Sequence, residues 1–188
     1  VDAFATYTEL GVRLNRTFTV GVESAWITSL LEDASTYLRD DVLGVQVYPR
    51  AQSSFVAYPD GTRIDLPQAP VVSIDSVMRG TVAVPYVQRD NSLYVDCDDA
   101  VTVKFTYGYL MAPASLKRWA MVLVSQALIP LEQKLGLTAG GLSSIAIDDF
   151  KAAWADGGEE SGITLSDRNI KLLREQFGAR GSYVVGSR

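Results

Sequence analysis

Three pairs of adjacent aspartates, Asp40-Asp41, Asp98-Asp99 and Asp148-Asp149, are the residues best placed to do chemistry, because paired carboxylates hold hard cations or divide acid and base roles. Their setting points the other way. Neighbouring side chains of a strand face opposite sides, and the first two pairs fall where a helix ends and where a turn is expected, positions that water serves well. Nucleophilic catalysis has less to work with: there is no histidine, Cys97 is the single cysteine, and no Ser-Lys motif surrounds Lys104, Lys117 or Lys134. The same counts exclude a disulfide within the chain and a Cys-cluster metal site, and remove the commonest metal ligand. Gly140-Gly141 carries neither GxxxxGK[ST] nor GxGxxG and reads as a linker. The aromatics Tyr94, Phe105, Tyr107, Tyr109 and Trp119 are the right types to stack on bases or sugars, but alternation inside a strand favours core or interface packing. The expectation is a protein with no catalytic residue, no cofactor and no metal.

These residues must be positioned by a chain of 188 residues, long enough for one domain with a real core. Its 47% hydrophobic and 21% charged residues are those of an ordinary globular protein, and its longest apolar run, Trp119 to Val124, is far short of a bilayer span. The N-terminal VDAFATYTEL has no basic-then-apolar signal pattern, so synthesis without export is expected. A net charge of −5 argues against a dedicated nucleic-acid grip, which needs clustered Lys and Arg. It does not exclude a DNA-facing role, since a wall that DNA must pass without sticking would be expected to repel it.

The periodicities predict an α+β chain. Thr6 to Leu14 reads as a short helix with Thr6 as N-cap and Glu9 at capping-box spacing. Trp26, Ile27, Leu30, Leu31, Ala34, Tyr37 and Leu38 predict a helix over Val22 to Asp40, with Thr19 as cap and Gly44 beyond the end. From Val45 to Tyr109 the pattern is β. Phe55–Tyr58 and Arg63–Leu66 around Pro59-Asp60-Gly61-Thr62 predict a hairpin; Val71–Met78, Val82–Gln88 and Leu93–Cys97 follow, with Pro85 making its strand short or an edge. Val101, Val103, Phe105, Tyr107 and Tyr109 alternate with polar residues as one buried face. An apolar helix then runs from Ala114 to Leu128, with Pro130 kinking or ending it. Phe105, Trp119 and Leu123 are expected to hold the fold, and Trp119→Ala to cost ~3–5 kcal/mol.

After Leu135 the chain loosens. Between Ala139 and Ile163 five acids, Asp148, Asp149, Asp156, Glu159 and Glu160, stand against Lys151, a local net of minus four in a Gly-rich loop. Ser166 then caps a helix carrying Ile170, Leu173 and Phe177 on one face, which Gly178 stops. The tail ARGSYVVGSR has no core left to join, so Tyr183, Val184 and Val185 read as a docking segment. No internal repeat is present.

The order of these pieces resembles the head-to-tail connector (adaptor or head-completion) proteins of long-tailed double-stranded DNA phages. The likeness covers nearly the whole chain and rests on TELGVRLNRTFT before ITSLLEDASTYLRD, the LPQAPVVSIDSV crossing, VTVKFTYGY followed by a Pro and the apolar helix, and SDRNIKLLREQF. The resemblance implies a bundle of about four helices with a β insertion, one connector domain over 1–188. Its parts are N-terminal helices (1–44), β insertion (45–109), central apolar helix (110–135), acidic loop (136–163), C-terminal helix (164–178) and flexible arm (179–188). It implies no enzymatic activity. The function implied is a virion ring, twelve copies in the family, made in the bacterial cytoplasm and seated between the capsid portal and a stopper or tail-side neck protein, with a channel for DNA and no membrane contact. It assigns portal docking to Tyr183, Val184 and Val185 with Arg180 and Arg188. Phe55, Tyr58, Val82, Val84 and Tyr86 become candidates for the contact between subunits, and the loop acids for the channel wall. Alternatives are another neck component such as a stopper or tail-completion protein, a carbohydrate or peptide binding module using exposed aromatics, and, last, a small hydrolase built on the Asp pairs.

Overall fold

The structure, a computed structural model, describes residues 2–134 and 165–178, with the backbone alone for 129–134. Among these residues there are four α-helices and two antiparallel sheets, a mixed α+β architecture. In chain order they are α1 (Tyr7–Leu14), α2 (Val22–Tyr37), a π-helical segment Leu38–Leu43, seven strands, α3 (Ala114–Lys134) and α4 (Asp167–Phe177). Two compact units divide the chain. One comprises Val1–Leu38 with Ala112–Asn169, the other Arg39–Met111 with Ile170–Arg188. The acidic loop and the arm lie outside the described residues.

In the helical unit, α1 opens with the predicted capping box: the Glu9 N–H donates to Thr6 Oγ1 at 3.2 Å and the Thr6 N–H to Glu9 Oε2 at 2.8 Å. Gly11, at first sight a weakness, is required at the other end. Asn15 closes the helix in the left-handed region and the Arg16 N–H turns back onto the Gly11 carbonyl at 2.9 Å; a Cβ on Gly11 would stand 2.6 Å from the Arg16 carbonyl oxygen. The start of α2 differs from expectation. Its N-cap is Gly21, whose N–H donates to Ser24 Oγ at 3.0 Å, whereas the Thr19 N–H donates to Glu23 Oε2 at 2.7 Å. A glutamate in the first turn, also paired with Arg16 at 2.7 Å, has claimed the residue that spacing offered as a cap.

α1 and α3 both lie against α2. On α3 the buried residues are Leu116, Ala120, Leu123, Val124, Ala127 and Leu128, one continuous helical stripe. Trp119 is only half-buried, because it sits one residue outside that stripe. Nor does Pro130 end the helix, which continues to Lys134. Lys117, on the rim, reaches Glu9 of the capping box at 2.7 Å. Desolvation pushes the Glu9 carboxyl up, but Lys117 and the Thr6 donors together outweigh it and hold it below its usual value of 4.5. A depressed carboxylate contributes stability that is present above the unfolded value and lost as pH falls through the folded one. In melts taken from pH 7 to pH 3, wild type is therefore expected to be more stable than Glu9→Gln at neutral pH, the gap closing as pH drops below about 4. A gap unchanged at pH 3 would mean that the ionised pair contributes nothing.

The second unit is a β sandwich entered through the π segment and Gly44, which has a φ of 66°. One sheet has the order β1 (Ala51–Ala57), β7 (Val101–Tyr107), β3 (Val71–Arg79), β4 (Val82–Ala83); the other β2 (Arg63–Asp65), β6 (Ser92–Val95), β5 (Tyr86–Arg89). Both sheets close on one core of Ala57, Ile64, Leu66, Val77, Leu93, Val95, Val101, Val103, Phe105 and Tyr107. The predicted alternation of β7 holds through Tyr107. Gly108, at φ 84°, then breaks it, so Tyr109 leaves the inward face and its ring meets Phe177 of α4 edge-on at 6.4 Å. α4 is fastened at its middle too: Arg174 donates to the Val42 carbonyl at 2.6 Å and to that of Asp41 at 3.2 Å, satisfying acceptors left open at the end of the helical run.

Two strand expectations change. The turn at Pro59–Thr62 forms, with Asp60 and Arg63 exchanging backbone hydrogen bonds at 3.0 and 3.2 Å and Gly61 at φ 64°. Its arms do not pair. β1 pairs with β7 and β2 with β6, because Phe55 and Ala57 belong to the wall built on β7 while Ile64 and Leu66 face the core from the other sheet. The run Val82–Gln88 is cut at Val84-Pro85 into β4, at the margin of one sheet, and β5, at the margin of the other, as a proline without an N–H requires.

Candidate functional site

The first two Asp pairs take the solvated positions that their local sequence favours. Asp40, Asp41, Asp98 and Asp99 are exposed, and Asp99 pairs with Arg79 at 3.2 Å; Asp148 and Asp149 lie outside the described residues. Among the described residues no group of three or more Cys, Asp or Glu is arranged to hold a metal ion. Cys97 is a free thiol, its Sγ 3.8 Å from the Asp99 carbonyl. Nor do the aromatics form one platform. Phe105 and Tyr107 are core residues, Phe105 with Phe55 edge-on at 5.8 Å and Tyr107 at 5.5 Å; the Arg89 guanidinium covers Tyr94, and Trp119 is in the other unit.

One polar cluster among the described residues is one that the residue pattern did not single out. On the outer face of the four-stranded sheet, Asp75 accepts from Gln52 Nε2 at 2.8 Å, Ser73 Oγ at 3.0 Å and Thr106 Oγ1 at 3.0 Å, tying β1, β7 and β3 together. The Gln52 hydrogen bond is the main reason its carboxyl is held below the usual aspartate range. Register shifts in β3 between Val71 and Ser73 and between Ile74 and Ser76 accompany this arrangement, and a bulge re-aims side chains in a way that period-two reading cannot anticipate. The cluster is a cross-strand clasp rather than a binding site, since its donors are spent on one carboxylate.

What remains is exposed apolar surface. Of the five candidates, Tyr58, Val82 and Tyr86 are exposed, while Phe55 and Val84 pack partly against the core. The structure does not gather them on one strand. Phe55 and Tyr58 belong to β1 and the turn after it, Val82 to β4 at the opposite margin of the same sheet, and Tyr86 to β5 of the other sheet. Further exposed apolar residues are Val87, Leu110 and Met111 in this unit, and Val12, Val20 and Val22 in the helical unit. Near Val12 a cleft of about 470 Å³ is lined by Tyr7, Gly11, Asn15 and Phe18. Arg180, Tyr183, Val184, Val185 and Arg188 of the arm, and Asp156, Glu159 and Glu160 of the acidic loop, lie outside the described residues.

No family model matches the chain, and no curated protein does. Among solved structures it is similar to a chain of one described as the neck of an empty GTA particle computed with C6 symmetry. The two are 18% identical with a TM-score of 0.47, over 100% of this chain and 97% of that one. No helix among the described residues is long and apolar enough to cross a membrane.

Proposed function

We propose that this protein is a non-enzymatic structural component of a phage-type particle, a ring-forming adaptor between the capsid portal and the neck or tail. The observation that supports the reading most is the way the chain is partitioned. It leaves a helical unit at Leu38, builds a complete two-sheet β unit through Met111, and re-enters the helical unit at Ala112. That is the helix, β insertion, apolar helix order on which the resemblance to connector proteins rests. The exposed apolar side chains support it further, being spread over several margins of the β unit rather than lining one enclosed pocket.

In this reading α1 to α3 form the body of each subunit and the β unit makes contacts between neighbours in a closed ring of heterologous interfaces. The arm from Arg180 to Arg188 docks on the portal. The acids from Asp148 to Glu160 face the channel, where like charge keeps DNA moving. Weighing the free protein in solution, and again with portal protein present, tests the proposal. A monomer alone and a ring bound to portal are expected; no ring and no co-assembly would overturn it.

A further inference from the structure

The chain enters the β unit through six residues wound in a way that their own sequence does not support. Leu38–Leu43 is π-helical, a rare winding that occurs mostly as single turns and frequently at functional sites. Asp40 and Asp41 stand near the carbonyl end of the run that begins with α2, where the helix dipole disfavours carboxylates, and the last turn holds no basic residue. The last carbonyls of such a run find no partner within it. Both needs are met from the other end of the chain. Arg174 of α4 donates through Nε to the Val42 carbonyl at 2.6 Å and through Nη2 to the Asp41 carbonyl at 3.2 Å. A planar guanidinium fork reaches two adjacent carbonyls at once, which a lysine ammonium on its flexible stem does not match.

α4 is no more self-sufficient. Its eleven residues fall short of the ~12–15 at which an isolated helix is even marginal in water. Only Leu173 and Phe177 among them are buried, and Leu172 is exposed. Phe177 follows Arg174 by three residues and so shares its face of the helix, and its ring meets Tyr109, close to where the chain leaves the β unit at Met111. The Tyr109 N–H in turn holds the Val47 carbonyl, on the entering chain, at 2.8 Å. One short helix therefore grips both the entry and the exit of the β unit.

We propose that α4 is a clasp on the mouth of the β unit, its docking and the winding of Leu38–Leu43 forming one cooperative step. Release of α4 loosens the entry segment while the two sheets stay folded. Each half lacks what the other supplies: the carbonyl end needs a cation and donors, the short helix needs an apolar seat and acceptors. Arg174 acts as a positioning residue for the entry segment. The contacts involve Asp41, Val42, Tyr109, Arg174 and Phe177, all in the β unit, and do not depend on the ring reading.

Amide hydrogen exchange of the full chain tests the clasp with three variants. Arg174→Met removes both donors and keeps a helix propensity like that of arginine. Phe177→Ala removes the contact with Tyr109 and leaves Arg174 in place, and Lys171→Met deletes the same charge at an exposed position of the same helix. Residues 39–44 and 168–178 are expected to exchange about tenfold faster in both Arg174→Met and Phe177→Ala, with residues 101–107 unchanged and Lys171→Met like wild type. Wild-type exchange of residues 39–44 in Arg174→Met overturns the proposal. Acceleration of 39–44 by Arg174→Met but not by Phe177→Ala also overturns it, since Arg174 would then be a local cap with no cooperative step behind it. Equal acceleration by Lys171→Met would reduce the effect to net charge, and equal acceleration of 101–107 would mean that the step is not separable from unfolding of the sheets; either result overturns the clasp. None of these outcomes bears on ring formation, which is read by mass with portal present.

Discussion

Replacing Phe105 by alanine is expected to destabilise the β unit by about 3–5 kcal/mol, the range for deleting a fully buried aromatic side chain. Phe105 is completely buried at the middle of β7, between β1 and β3, and its ring touches both Phe55 and Tyr107. Truncation removes its own transfer free energy and leaves two aromatic neighbours facing a void. Urea unfolding followed by far-UV circular dichroism reads the loss. Tryptophan fluorescence would not report it directly, because no tryptophan falls between Arg39 and Met111. A loss below about 1 kcal/mol would mean that the two sheets do not share one tightly packed core. Trp119→Ala, expected from periodicity to be comparable, should now cost less than Phe105→Ala, since the ring is only half-buried.

Gly108→Ala is expected to cost about 2–4 kcal/mol, from two effects of similar size. At φ 84° an L side chain is strained, and the space for a Cβ is already taken: it would stand 3.0 Å from the Pro49 carbonyl oxygen and 3.1 Å from that of Val47. Those carbonyls are backbone and cannot swing aside. The turn is also held from both sides, the Gly108 N–H donating to Pro70 and the Tyr109 N–H to Val47, each at 2.8 Å. Gly80→Ala supplies the comparison. Its φ of 61° carries the conformational cost, but its Cβ would meet nothing within 4 Å, so a loss of only about 1 kcal/mol is expected. Equal midpoints for the two variants in urea would show that crowding at Gly108 contributes nothing.

Much of the architecture could be read before any coordinates. The capping box of α1, the inward alternation from Val101 to Tyr107, the break at Pro85 and the buried stripe of α3 are set by residues within one or two turns of each other, or by a missing N–H. Such interactions form the same way wherever the segment ends up. The candidate surface was less legible. Phe55 to Leu66 has the composition of a hairpin and does contain its turn, yet β1 and β2 part company because each finds a better apolar partner elsewhere in the chain.

Sequence alone determined that this is an α+β chain with helices flanking a β region, with no histidine and a single cysteine. Tertiary structure decided which strands pair, that Asp75 clasps three of them, that Tyr109 turns to α4 and that Trp119 stands at the rim. It also decided that the Val82–Gln88 run is divided between two sheets, as β4 and β5. The reason is the range of the forces: hydrogen bonds of caps and turns close over three or four residues, whereas strand pairing and burial depend on surfaces far apart in the chain, such as β1 with β7, whose partners run from Ala57 with Val101 to Ala51 with Tyr107, which no local pattern encodes.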